Sequence, residues 1–246
     1  MPITADSLAE IAAIAKDPLG SGHLRENPLP IARWLIESSL ASGNQDSSFA
    51  NAHELGLHSI MLHDFGQGGK IRMFYAEGGR HKLADLTDVE DDLRCRLHDH
   101  RFDVAIVPVL GDVLQIHSAE TPDGSGPVRR TKYRFISALL NGSGQFGFER
   151  LGDKTMVADD DELLVPGDVS FLTSDGLHSI NTTPECSTSD VAWLVIEGAA
   201  RKPDSILYSA IPDLPVQETA SGLYIPMSRN TAHGLTRHIL DAMKQQ

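Results

Sequence analysis

Residues 93–112, LRCRLHDHRFDVAIVPVLGD, decide how this chain is read. Side chains alternate faces along a strand, so His98 and His100 point one way and Asp99 the other. Two imidazoles on one strand face, one residue apart, can both reach a single metal ion. Alone, an HxH pair is equally what two solvent-facing histidines look like, so its surroundings carry the decision. Immediately downstream, DVAIVPVL is a β-branched apolar run that ends at Gly111-Asp112, a turn signal.

Working outward, the same texture extends from about Leu57 to residue 200. Short runs rich in Val, Ile, Phe and Tyr (LHSIMLHDF, KIRMFYAEGG, RRTKYRFIS, DELLVPGDVSFL, LHSINT, VAWLVIEG) alternate with Gly, Asp and Pro. Regularly spaced short strands predict an antiparallel sandwich or barrel rather than β–α units. SAETPDGSGP (118–127) and the acidic stretch Asp159 to Glu162 read as hairpin connections, and FGFERLGDKTMV as a strand pair. The first fifty residues read as helical. Ser7 and Glu10 form a capping-box pattern ahead of Ile11 and Ile14, and a second helix starts near Pro30 and stops by Gly43. Residues 42–56 read as a polar loop. A last helix carries Leu235, Ile239 and Met243 at steps of four. The expected organisation is an N-terminal helical extension over 1–56, a barrel over 57–210 and a C-terminal extension with a helix over 211–246.

Composition narrows the function. With 34 acidic residues against 21 basic ones, the formal net charge is −13. No basic stripe is present to replace phosphate counterions, which argues against a nucleic-acid surface. An anionic small substrate stays compatible, because a local group of arginines can sit inside an acidic envelope. Cys95 and Cys186 are too few for a disulfide framework. The N-terminal segment lacks a basic region followed by an apolar core, and no apolar run approaches membrane-spanning length. A cytoplasmic protein is the expectation.

The spacing around the histidines resembles the cupin superfamily. The family's first motif is HxH, three or four residues, Glu, six residues, Gly. Here His98-Asp99-His100 is followed by three residues, then Val104, six residues and Gly111. The second motif sets a Gly eleven positions before the third histidine, as Pro166-Gly167-Asp168 stands before His178, with Asn181 one position short of the family's Asn. Val104 replaces the usual glutamate, and Thr173 and Asp175 replace the second motif's Pro and second Gly. The resemblance spans roughly 57–200. It implies an all-β cupin double-stranded β-helix (jelly-roll) barrel, flanked here by N-terminal and C-terminal helices.

A site of three histidines without the glutamate is most similar to the cysteine or thiol dioxygenase branch, and implies one divalent metal on His98, His100 and His178. Fe(II) is the choice by resemblance, while imidazole suits Ni, Mn, Cu or Zn as well. The family's Ser-His-Tyr arrangement has no match here, so no thiol substrate follows. Three neutral ligands leave an ion its 2+ charge and open positions, which suit a chelating anionic substrate and dioxygen. Asp103 restores a 2-His-1-carboxylate site if the chain turns between Arg101 and Asp103.

Arg94 and Arg96 share parity with the histidines and are the candidate catalytic residues. In a regular strand both face the interior, where a substrate carboxylate is a natural bidentate partner; a protein carboxylate is the alternative partner. Tyr133, Arg134 and Trp193 fall on neighbouring strands, with facing undetermined. Gly142 to Gly147 spells GxGxxG without the helix that a dinucleotide site requires. The expected activity is a non-haem Fe(II) dioxygenase or oxygenase acting on a small carboxylate-bearing substrate. A metal-dependent isomerase or lyase, or a non-catalytic small-ligand-binding cupin, are the alternatives. Barrel edges are often covered by pairing, so a homodimer is a possible assembly.

Overall fold

Three helices begin the chain: α1 (Ala5–Lys16), α2 (Gly22–Glu26) and α3 (Pro28–Ser42). The computed structural model of the protein describes residues 5–43, 45–53, 57–80, 97–136, 145–209, 218–219 and 225–245. α1 starts before Ser7, which therefore sits in its first turn and not at the cap expected from the capping-box pattern. α3 starts two residues ahead of Pro30, because proline's fixed φ suits a first helical turn and Pro28 already supplies one. It ends at Gly43, which takes the left-handed conformation (φ 65°) and donates its N–H to the Ser39 carbonyl.

The strands are β1 (Phe49–His53), β2 (Leu57–Asp64), β3 (Lys70–Ala76), β4 (Leu97–His98), β5 (Phe102–Leu110), β6 (Val113–Glu120) and β7 (Val128–Ile136). They continue as β8 (Gln145–Leu164), β9 (Ser170–Leu172), β10 (Leu177–Asn181), β11 (Val191–Ala200), β12 (Ser205–Ser209), β13 (Glu218–Thr219) and β14 (Ile225–Pro226). Helix α4 (Arg229–Met243) follows and buries Ile239 and Met243. Within 42–56, expected to be loop, β1 pairs with β2 and with β14. β14 comes from the far end of the chain, and no local pattern records such a pairing.

Two antiparallel sheets result. One runs β14-β1-β2-β3-β11-β5-β9, the other β13-β8-β6-β10-β4-β12-β7, and β8 also pairs with β7. In the first sheet β5 pairs with β9, and in the second β6 pairs with β10. The two-stranded ribbon β5–β9 thus passes from one sheet into the other as β6–β10. Its turn uses Gly111 at φ 67°, where a side chain's Cβ would lie 3.1 Å from the Asp190 carbonyl oxygen. Gly167 (φ 106°) serves the turn before β9, closed by the Val165 N–H donating to Asp168 Oδ2 at 2.9 Å. Both motif glycines therefore stand where L residues are strained.

β8 overturns two expectations. Residues 146–157 belong to one strand of 20 residues, not a strand pair, and Asp159 to Glu162 lie inside it rather than in a hairpin. Its first half pairs with β7 and its second half with β6, with Met156 opposite both Val128 and Glu120. A register shift opposite Ile116/Ser118 absorbs the acidic residues as a bulge. Of residues 118–127, expected as a hairpin connection, 118–120 end β6 and 121–127 lead on to β7, and these two strands both pair with β8 and not with each other.

The core has two layers, set by alternation on β5 and β11. Ala105, Val107, Val109, Ala192, Leu194 and Ile196 pack outward with buried residues of α1, α3 and α4. Val104, Ile106, Trp193 and Val195 pack inward with Val113 and Leu164 of the opposite sheet. Among the described residues no helix is long and apolar enough to cross a membrane.

Candidate metal centre

His98 ends β4, His100 lies just past it, and His178 lies on β10. Cross-strand partners point to the same face. His98 is opposite His178, and His178 is opposite His117 on β6, so three histidines form one row across three strands. The row shares parity with Val113 and Ile180, which pack in the inter-sheet core, so it faces inward. Asp99, on the other face, anchors the bend that brings His100 back toward this row. Its N–H donates to the Ile206 carbonyl at 3.0 Å, and its carboxylate accepts from the Ile206 N–H at 2.6 Å and Lys202 Nζ at 2.7 Å. Burial holds the Asp99 carboxyl above its ordinary range, opposed by Lys202 and the Ile206 N–H.

The structure brings His98, His100 and His178 together. Their ligating nitrogens all lie within 4.8 Å of one another, and the ring centroids are 4.8, 4.9 and 5.0 Å apart. His100 Nε2 and His178 Nε2 are 2.7 Å apart. Two nitrogens bound at right angles to one ion, at about 2.1 Å each, lie roughly 3 Å apart. His178 is 1% exposed, and burial first, then the charges on His98, His100 and His117, hold its pKa well below the usual histidine value. A neutral imidazole with a free lone pair is what a divalent ion binds, so the donor set fits.

The carboxylate alternative fails on geometry. Asp103 accepts from the Ser174 N–H at 2.9 Å and Arg201 Nε at 3.1 Å, and does not join the cluster. On the other parity, Phe102 stacks on His100 with centroids 5.7 Å apart, and Val104 is fully buried in the inter-sheet core. The ligand group among the described residues is thus three histidines with no acid. Arg94, Arg96 and Cys95 lie outside the described residues. Tyr133, 1% exposed, faces the same side as His98 through Leu207, which is opposite both. Trp193 faces inward, and its Nε1–H has no partner among the described residues. Arg134 turns away, pairing with Glu149 at 2.6 Å and Asp204 at 3.2 Å.

Sequence reasoning missed Gln115. Its side chain is fully buried, and its Oε1 lies 2.9 Å from His178 Nδ1. The available signal was parity, since Gln115 stands two residues from His117 on the inward face of β6.

No protein-family model matches the chain, and no curated protein sequence matches it. Among solved structures, hydroxypropylphosphonic acid epoxidase from S. wedmorenis is similar at 9% identity and TM-score 0.31, over 58% of this chain and 52% of that one. The chain therefore spans about half the length of the epoxidase. Hydroquinone 1,2-dioxygenase from Sphingomonas sp. TTNP3 is similar at 12% identity and TM-score 0.27, over 69% of this chain and 78% of that one. A DMSP lyase structure is similar at 14% identity and TM-score 0.24, over 61% of this chain and 51% of that one. Likenesses this distant carry nothing about activity.

Proposed function

We propose that the chain is a cupin-type metalloenzyme, a non-haem Fe(II) dioxygenase or oxygenase acting on a small carboxylate-bearing molecule. The observation that carries the reading is the convergence of His98, His100 and His178, joined by no carboxylate among the described residues, on the inward face of a two-sheet β fold. In this reading residues 57–210 form the jelly-roll barrel and the three imidazoles hold the ion. When bound, the ion supplies Lewis acidity and open coordination positions for a chelating substrate and dioxygen.

The remaining steps belong to the chain. His178, kept neutral by burial, presents a lone pair at pH 7 without a proton to displace. Asp99 and Lys202 fix the bend that aims His100. Phe102 covers one face of the His100 ring, and the apolar wall of Val104, Ile106 and Trp193 limits water near the centre. Arg96, with or without Arg94, is the proposed anchor for the substrate carboxylate, on sequence parity alone.

The test combines metal analysis with oxygen uptake. Purified protein should carry close to one divalent ion per chain, and His178→Ala should weaken binding about a hundredfold or more, while His117→Ala keeps its metal. The iron-loaded wild type should consume oxygen with at least one member of a panel of amino acids, thiols and keto acids. Metal without uptake across the panel would turn the reading toward an isomerase, a lyase or a ligand-binding protein. Undiminished metal in His178→Ala would remove the site itself.

A further inference from the structure

Beyond the three histidines, a chain of hydrogen bonds leads away from the buried His178 to a partly exposed carboxylate that touches none of them. His178 Nδ1 lies 2.9 Å from Gln115 Oε1, and the Gln115 amide nitrogen lies 3.4 Å from Glu162 Oε2. The same Glu162 oxygen accepts from the Ser170 hydroxyl at 2.6 Å and lies 3.7 Å from His117 Nε2. The register explains the convergence: Gln115 is opposite Glu162 on β8 and, on its other side, opposite Ile180, two residues from His178.

We propose that Glu162 is a positioning residue for the metal centre, acting through Gln115 to fix which nitrogen of His178 carries its proton. An ionised carboxylate only accepts, so Glu162 orients the NH2 end of the Gln115 amide toward itself. That orientation leaves Oε1 facing His178, and a carbonyl oxygen also only accepts. His178 must therefore hold its proton on Nδ1 and offer a bare Nε2 toward His98 and His100. A reversed amide would donate to Nδ1 and force the proton onto Nε2, which then cannot ligate. Ser170, 5% exposed, holds Glu162 in place from β9. Outer partners of ligating histidines set tautomer and orientation in this way, and their loss commonly lowers metal affinity by about 10- to 100-fold.

The inference rests on the three-histidine reading, and the test separates the two. Wild type, Glu162→Gln, Gln115→Leu and the swapped double variant Gln115→Glu/Glu162→Gln would be compared. The first readout is the His178 tautomer in metal-free protein, from imidazole nitrogen NMR. The second is the Zn(II) dissociation constant by chelator competition. Wild type should show the Nδ1–H form. Glu162→Gln, whose amide can accept or donate, should show mixed tautomers and roughly tenfold weaker zinc binding. The swap should restore both readouts, because a carboxylate at 115 accepts from Nδ1 and an amide at 162 donates to it. Glu162 is partly exposed, so its single variant keeps the test available if Gln115→Leu does not fold. An Nδ1–H tautomer with unchanged affinity in Glu162→Gln would overturn the proposal and leave Glu162 a structural acceptor. A tautomer switch in protein that binds no zinc would sustain the relay and remove the metal reading.

Discussion

Around the histidine cluster the two sheets turn different kinds of side chain toward each other. From the sheet that holds β5 and β11 come Val104, Ile106, Leu172, Trp193 and Val195, an apolar wall. From the sheet that holds β6 and β10 come His98, Gln115, His117 and His178, a polar one. The apolar wall is held by area removed from water and by close packing. The polar wall stands only because its buried atoms find partners, since an unpaired buried polar group costs about 1–3 kcal/mol. The apolar wall's own charges obey the same rule: Arg72, on the Val195 side of β3, pairs with Glu197 at 3.4 Å, and burial raises the Glu197 carboxyl. The three-histidine cluster sits on one wall, and the other faces it with apolar side chains.

The largest expected effect comes from breaking the apolar wall. Trp193 is 2% exposed and stacks on Phe74 with centroids 5.7 Å apart. Trp193→Ala should cost about 3–5 kcal/mol of stability, read from the urea midpoint, because transfer and cavity terms add. The metal affinity of the fraction that stays folded should change little. A loss below about 1 kcal/mol would mean that this wall is not close-packed, and a matching collapse of metal affinity would mean that the walls are not separable.

The contrast also explains what the sequence makes legible. The continuous apolar runs DVAIVPVL and VAWLVIEG identify strands buried on both faces, because a strand covered on both sides has no polar face to alternate with. HxH, PGD and the distant His178 are readable because ligand geometry constrains spacing, and the motif glycines because a positive φ admits few other residues. Partners are not readable. Gln115 meets His178 across a strand pairing 63 residues apart, and Asp103 meets Arg201 across 98. The long strand β8 hid its continuity behind Gly152 and the acidic bulge, both of which look locally like turns. Ser7 misled because capping residues are also tolerated inside a first helical turn.

One polar side chain lies on the wrong side of the comparison and sharpens it. His63, on β2, is buried beneath α3, with Nε2 3.0 Å from Ser38 Oγ and 3.1 Å from the Leu35 carbonyl. Burial lowers its pKa, and the Leu35 carbonyl only partly opposes that. The unfolded chain therefore takes up a proton below about pH 6.5 that the folded chain refuses. Stability from this group is complete above that pH and is lost as pH falls toward the lowered folded value. The slope contributed is at most about 1.4 kcal/mol per pH unit. Urea denaturation between pH 7.5 and 5.5, with chelator present, should show a shallower loss for His63→Gln than for wild type. Equal slopes would mean that His63 takes up its proton in the folded state too.

The smallest expected effect decides whether Asp103 joins the three histidines. Asp103 lies three residues after His100, and a carboxylate there would turn a three-histidine centre into a different one. Its carboxylate instead ties two chain segments, through the Ser174 N–H on Oδ1 and Arg201 Nε on Oδ2. In Asp103→Asn the amide oxygen can keep the Ser174 contact, so only the charge facing Arg201 is lost. Arg201 is 58% exposed, and ion pairs with so wet a partner are worth about 0–1 kcal/mol. Asp103→Asn should therefore lower stability by no more than about 1 kcal/mol and leave the zinc dissociation constant unchanged. A ligand lost from the ion itself would weaken binding by about tenfold or more, as even outer partners do. Weakening of that size with little change in stability would place Asp103 on the metal. Unchanged affinity would leave His98, His100 and His178 as the only candidate donors among the described residues.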